Sequence, residues 1–413
     1  MGFEATLVAG VDTHKDSHVL CVLDGLGRKV HEGVYPATAG GYDEISRAIG
    51  PADGCMVVGI EGTCSFGAGL SARLSHLGYN VVEVLRPKRD KRRRGSGKND
   101  YVDAERAARD AAASNGVSIP KSRDGWSEAA RPLLCARSML VSTQTRVSNL
   151  VKSLIDTAPE PIREKYSKLG NARMMAALSR KRKPTGDLVT DGLMSALRSM
   201  AKTWIEAADK AAELESAIEG LVRREAPALL EVNGCGAISA ATLGIAAGDN
   251  PGRMGSEAAF AMLCGASPIE ASSGRTVRHR LNRGGNRKAN QALHSIVINR
   301  MRYDERTSEY VERRTSEGKS KREIIRCLKR YVAREVYRAL LHPKETHHPS
   351  GESLRARRAA VGLTQKAVAE SLGTESMRIS EIETERRKSF DLRDAYDKLL
   401  ERHEKGVLAL DAI

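Results

Sequence analysis

The chain has 413 residues, 41% of them hydrophobic and only 4% aromatic, with a formal net charge of +15 and a pI near 9.6. That length supports two or three domains with sizeable cores, and the cationic surplus points to a polyanionic partner. A membrane surface is the competing partner for such charge, but no apolar run approaches the ~20 residues that span a bilayer and the N-terminus lacks a signal-peptide pattern, so a cytoplasmic nucleic-acid-binding protein is expected. Seven scattered cysteines, never spaced as CxxC, read as reduced thiols, neither disulfides nor a zinc site.

Ala5–Asp24 reads as a strand delivering one carboxylate, Asp12, followed by a returning strand through Val19–Leu23. An Asp ending an apolar strand is costly unless paired, so Asp12 is either a turn residue or a site residue. A third strand is expected near Lys29–Tyr35, a helix near Tyr42–Ile49, a strand at Met56–Glu61, a helix near Leu70–Leu77 and a strand at Asn80–Leu85. This mixed α/β order is that of the ribonuclease-H/resolvase-like fold, which carries acids on its first and fourth strands. Asp12 and Glu61 stand at those places.

Arg86–Lys98 holds eight basic residues and two glycines. Such a run is ordinarily a solvated loop; beside two acids it reads as a phosphate grip, with Arg92, Arg93, Arg94 and Lys98 as candidate nucleic-acid contacts. The helix start that follows can be capped by Asn99 or Asp100. Asp100 and Asp103, three apart, can face one side of it.

From Ser127 to Ile155 the pattern is helical, with Leu133, Leu140, Val147 and Leu154 in one seven-residue row and Ala136, Thr143 and Leu150 in another. Ala211, Leu214, Ile218 and Leu221 form a matching segment. The rows suit an antiparallel hairpin, a dimer-forming coiled coil, or a plain core helix. Between them, prolines and Gly186 leave room for one short helix. Gly234-Cys235-Gly236 opens an apolar helix and is either a plain turn or a phosphate-facing one. Downstream, Ser272 and Ser273 precede Gly274 and a cationic stretch containing Arg275, Arg278, Arg280 and Arg283, followed by helices near Lys288–Arg302 and Lys321–Leu341. Serine before glycine is ordinary turn chemistry. Among so many cations it is also a candidate nucleophile toward phosphate.

His342–Glu352 is a linker by composition. Beyond it, three short helices are expected, with Leu354, Ala359 and Val361 packed on Val368, Leu372, Ile379 and Ile382. Over Ser353–Arg387 this tail resembles the Cro/repressor class of helix-turn-helix domains, through Leu363-Thr364-Gln365 and Ile379–Glu383. That resemblance implies a phosphate contact for Gln365 and base-edge positions for Ser376, Met377 and Glu381.

The first ~340 residues resemble the DEDD transposases of the Piv/MooV-like insertion-sequence family, also called bridge recombinases. The resemblance is carried by GVDTHKD, GIEGT, KNDYVDA and the SSG followed by RGGNRKAN. It implies a resolvase-like catalytic domain over 1–120, a helical coiled-coil spacer over 125–225 and a mainly helical distal transposase domain over 226–342. A linker over 343–352 and the helix-turn-helix domain over 353–413 complete the expected order. Asp12, Glu61, Asp100 and Asp103 are implied as Mg²⁺ ligands and Ser273 as the nucleophile, in an enzyme that cleaves and exchanges DNA strands. A guide (bridge) RNA and a homodimer or homotetramer are the further expected partners. Four carboxylates can hold two divalent ions about 4 Å apart in an in-line phosphoryl transfer. The competing readings are a Holliday-junction-type metal nuclease, a non-catalytic DNA-binding regulator, and an actin-like ATPase, which would need a second phosphate loop in residues 125–340.

Overall fold

The computed structural model describes residues 7–85, 99–180, 184–271, 279–343, 349–386 and 390–410. The chain divides into two compact units, Met1–Gly125 with Gly248–Gly255, and Trp126–Ala247 with Ser256–Ile413.

The first unit is built on a six-stranded mixed sheet of order β3-β2-β1-β4-β5-β6. Its strands are β1 (Leu7–Thr13), β2 (Ser17–Leu23), β3 (Lys29–Pro36), β4 (Cys55–Glu61), β5 (Val81–Val84) and β6 (Val117–Ser118). The first three form an antiparallel meander, whereas β4 runs parallel to β1 and β5 parallel to β4. Near-continuous apolar runs in β1, β2 and β4 are what a sheet covered on both faces requires. On one face Ala9, Val11, Leu20, Val22, Val58 and Ile60 pack with Ile45 and Ile49 of α1 (Ala39–Ile49) and Leu70 and Leu74 of α2 (Ala68–His76). On the other, Val8, Val19, Cys21 and Val57 pack against Ala104, Ala107, Ala108 and Ala111 of α3 (Asp100–Ala112). The expected element order is the observed one, with β6 added at the edge.

Two glycines set how closely α3 lies on the sheet. Gly10 of β1 and Gly59 of β4 are register partners. A Cβ on Gly10 would overlap the backbone of Ala104 and Ala108, and one on Gly59 would come within 2.6 Å of the Ala107 carbonyl. The helix therefore presents alanines to glycines and rests almost backbone on backbone.

An eight-residue segment from much later in the sequence completes this unit. The Asn250 side chain accepts from Ser122 N (3.3 Å) and donates to Pro120 O (2.8 Å), and Arg253 Nε donates to Ile119 O (3.0 Å). Sequence reading placed the first domain entirely within 1–120 and had no periodic signal for this return.

The second unit is helical. Its longest members, α4 (Trp126–Asp156) and α7 (Leu188–Glu225), pack antiparallel. Arg137 meets Glu215 at 2.7 Å and Gln144 Nε2 reaches Ala207 O at 3.3 Å, so positions rise on one helix as they fall on the other. Of the alternatives for the seven-residue rows, the intrachain hairpin is the one formed: Ala211 and Ile218 are buried, and Leu133, Leu140, Val147 and Leu154 half-buried. The expected single short helix is two, α5 (Glu160–Tyr166) and α6 (Asn171–Ser179), whose Tyr166, Met174 and Met175 fill a core with Val151, Ile155 and Leu197.

Next come α8 (Pro227–Glu231), α9 (Ala237–Ala247), α10 (Glu257–Leu263), the two-residue strands β7 (Ile269–Glu270) and β8 (His279–Arg280), α11 (Arg287–Tyr303), α12 (Glu305–Ser316) and α13 (Lys321–Leu341). The Gly234–Gly236 segment is a turn packed on α11: Gly234 has φ +75°, and Arg300 Nε donates to Asn233 O at 2.7 Å. Four helices follow the linker: α14 (Gly351–Ala360), α15 (Gln365–Ser371), α16 (Ser376–Glu383) and α17 (Phe390–Leu410). Thr364 caps α15 as expected, and Leu354, Val368, Ile379 and Ile382 form the core. Two details differ. Ala359 is exposed, and Tyr396 and Leu400 of the additional helix α17 close the core in its place. Among the described residues no helix is long and apolar enough to cross a membrane.

Candidate active site

Side chains two apart on a strand share a face, so Gly10 with Asp12, and Gly59 with Glu61, lie on the α3 side of the sheet. The glycines seat the helix, and the acids follow at the C-terminal ends of adjacent parallel strands. Thr13 Oγ1 donates to Glu61 O (2.8 Å) and ties those two ends together. The first turn of α3 supplies the other pair, Asp100 and Asp103, behind an N-cap in which Asn99 Oδ1 accepts from Tyr101 N (3.0 Å). The positive end of the helix dipole thus faces a concentration of carboxylates.

The four predicted acids are brought together, but in two pairs, each with its own cation or imidazole. His14 Nε2 lies 3.3 Å from Asp12 Oδ2 and 3.2 Å from Asp100 Oδ2. Arg106, one turn beyond Asp103 on α3, pairs with Asp103 (2.6 Å) and with Glu61. Asp12 and Glu61 are buried, whereas Asp100 and Asp103 are partly exposed. Burial pushes the Glu61 carboxyl above the ordinary carboxylate range, and the charges of Asp12 and Asp103 push the same way; Arg106 opposes but does not cancel them. The charged form of Glu61 is therefore disfavoured by its surroundings, and added positive charge would stabilise it.

Among the described residues, one group of ligand atoms meets the spacing of a metal site: Asp12, His14 and Asp100, all within 4.8 Å of one another. Two carboxylates and an imidazole are a donor set that divalent cations accept. Moreover, His14 Nε2 is buried, and neither carboxylate contact has the angle of a hydrogen bond. A buried ring nitrogen aimed between two carboxylates fits a cation among the three.

Sequence reading missed His14, Arg106 and the two glycines. The glycines had a legible signal, since GVD and GIE repeat the same glycine–apolar–acid spacing. His14 was quoted within GVDTHKD and given no role.

Other predicted contacts fall as follows. Arg92, Arg93, Arg94 and Lys98 lie outside the described residues, as do Ser272, Ser273, Arg275 and Arg278. Antiparallel strands β7 and β8 bracket the SSGRTVR stretch, with Ile269 opposite Arg280. Arg280 and Arg283 are exposed. The base of this region is tightly built: Gly285 abuts Gly265, and Asn290 Nδ2 donates to Cys264 O (2.8 Å) and Gly265 O (3.1 Å). In the tail, Ser376 and Met377 are exposed at the start of α16, as is Arg378, which was overlooked. Gln365 instead directs its amide inward, donating to Glu383 (2.7 Å).

A mixed α/β domain with acids at its strand ends, followed by a helical remainder, is consistent with a DEDD transposase. Two family models bear on this: a DEDD transposase model of the IS110 type matches residues 9–158, and one described as Transposase IS116/IS110/IS902 family matches residues 226–312. Together they show that this chain is an IS110-family transposase. No curated protein matches it. The first match spans the sheet, all four acids and α4; the second spans the serine-glycine stretch; the tail from residue 353 lies beyond both.

Proposed function

We propose that this transposase is the recombinase of a mobile element and uses the Asp12, Glu61, Asp100 and Asp103 site, in a ribonuclease-H/resolvase-like domain, for metal-dependent DNA strand cleavage and exchange. The observation that carries the reading is the convergence of the four acids where the C-terminal ends of the central strands β1 and β4 meet the first turn of α3. A divalent cation, Mg²⁺ in the simplest case, supplies Lewis acidity toward a phosphate oxygen when bound there. The chain's own residues do the rest. Asp12 and Asp100 would hold one ion, and Glu61 and Asp103, which now pair with Arg106, would be the ligands of a second. Arg280 and Arg283, with Arg275, Arg278 and the Arg92–Arg94 and Lys98 stretch, neutralise the DNA backbone.

Ser273 is the proposed nucleophile. Its Oγ forms a bond to the scissile phosphorus, the bond to the leaving deoxyribose oxygen breaks, and the serine proton passes through solvent to that oxygen. Reversal with a different DNA end rejoins the strands. The tail is read as a helix-turn-helix module in which Ser376 and Met377 face bases. A guide RNA choosing the sites, and a dimer or tetramer as the working assembly in the cytoplasm, complete the proposal.

Incubation with substrate DNA followed by denaturation tests it. Wild type should give a protease-sensitive protein–DNA adduct that requires a divalent cation, absent from Ser273→Ala. An adduct lost from Ser272→Ala but retained by Ser273→Ala moves the assignment by one residue. Cleavage with no adduct in either case would favour the metal-nuclease reading, in which water attacks. Sequencing the nucleic acid that copurifies with the protein tests the RNA.

A further inference from the structure

We infer that His14 is a direct nitrogen ligand of the metal site, so that Asp12, His14 and Asp100 favour first-row transition cations, from Mn²⁺ onward, over Mg²⁺. The inference rests on the metal-dependent reading above and adds a residue outside the four acids.

Three observations carry it. The first is spacing. Ligands about 2.1 Å from one ion are separated by roughly 3.0 Å along an octahedral edge and roughly 3.4 Å along a tetrahedral one. The imidazole nitrogen stands 3.2 and 3.3 Å from its two carboxylate oxygens, between those values. The second is the nitrogen's orientation. A structural histidine beside carboxylates ordinarily donates a directed hydrogen bond, yet Nε2 is buried and makes none. The third is the division of the acids. Arg106 pairs with Asp103 and Glu61, whereas His14 stands beside the other two acids, Asp12 and Asp100.

The local chain explains the placement. β1 ends at Thr13, and the His14 N–H donates to Ser17 O (3.0 Å), closing the turn into β2. This turn holds the residue two beyond Asp12 beside its carboxylate. Position 100, at the first turn of α3, arrives from the opposite side because Gly10 and Gly59 admit the helix so closely.

Selectivity follows from ligand chemistry. Mg²⁺ takes hard oxygen donors and keeps its waters, whereas imidazole favours later first-row ions. Replacing one oxygen position by nitrogen tilts the site toward Mn²⁺, Co²⁺ or Zn²⁺ at equal concentration.

The test uses full-length protein stripped with a chelator and titrated with Mn²⁺, followed by electron paramagnetic resonance. Pulsed measurement on the bound ion reports nitrogen coupling from a coordinated imidazole. Wild type should show that coupling. His14→Ala should lose it and bind Mn²⁺ about tenfold more weakly, while Mg²⁺ affinity, read by competition, changes much less. His14→Asn, which restores an oxygen donor, should bring the Mn²⁺ and Mg²⁺ affinities closer together. Thermal melts of the metal-free variants establish that they fold. Wild type that binds Mn²⁺ without nitrogen coupling, together with unchanged affinity in His14→Ala, overturns this inference and leaves the metal site standing. Asp12→Asn protein that binds Mn²⁺ as wild type does overturns both.

Discussion

Two glutamates in this chain are buried against an arginine, and their environments act in opposite directions. Glu383 of α16 accepts from Arg358 (2.6 and 3.1 Å), Gln365 (2.7 Å) and the Tyr396 hydroxyl (2.7 Å). Burial raises its pKa, but those donors together outweigh burial and hold it below the ordinary carboxylate range. Glu61 meets Arg106 as well, yet burial and two neighbouring acids hold it above that range. The first carboxylate is a structural fixture whose charge the surrounding donors satisfy. The second is kept in a form that an arriving cation would relieve, as functional sites do.

The comparison can be broken most directly at the acids. Asp12→Ala and Asp103→Ala should reduce strand cleavage to background while melting curves and DNA binding stay near wild type. Normal cleavage by both variants in Mg²⁺ would place the metal site elsewhere. The next largest effect falls on the packing beneath. Gly10→Val drives a side chain into the backbone of α3 and should destabilise the first unit by roughly 3 kcal/mol or more, visible as a lost or strongly lowered thermal transition.

On the structural side, Glu383→Ala leaves the half-buried Arg358 without its carboxylate partner and should cost about 3 kcal/mol. The same network makes the tail acid-sensitive. A depressed carboxylate lends stability above its unfolded pKa, and that stability is lost as pH falls through the folded one. Unfolding of the isolated 349–413 segment, followed by circular dichroism, should therefore become easier below the ordinary carboxylate range, and Glu383→Gln should flatten that dependence. The smallest effect is expected from Glu61→Gln in metal-free protein. Removing a charge that the fold disfavours should leave the melting temperature unchanged or raise it slightly, while cleavage is lost. A marked drop in melting temperature would make Glu61 as structural as Glu383.

Much of this contrast was legible in the sequence. The element order around the sheet follows from apolar patterning, a basic helix stands at Lys321–Leu341 as expected, and the four acids were singled out by their places at strand ends and a helix start. Glu383 entered the sequence reading only as the end of the Ile379–Glu383 stretch and was given no role, because its partners, Arg358, Gln365 and Tyr396, are spread over thirty-nine residues and only the folded core brings them together. His14 and Arg106 escaped for the same reason. Neither type is diagnostic at its position until α3 is laid across Gly10 and Gly59. The helix α17 was missed because its buried face, Tyr396 and Leu400, has meaning only against the three helices before it.

The return of residues 248–255 to the first unit bears on how the protein is made. Domains emerging from the ribosome ordinarily fold in N-terminal order, as each is completed. Here the chain leaves the first unit at Gly125 and supplies its last piece only at Gly248–Gly255. At about 5–20 residues per second, synthesis of the intervening stretch keeps Ile119, Pro120 and Ser122 waiting on the order of ten seconds for Asn250 and Arg253. During that interval the α4–α7 hairpin can already form, so the segment that carries the four acids is finished after a segment that follows it in sequence. Nascent chains arrested before and after residue 255 should differ in protease resistance at the acid-bearing sheet.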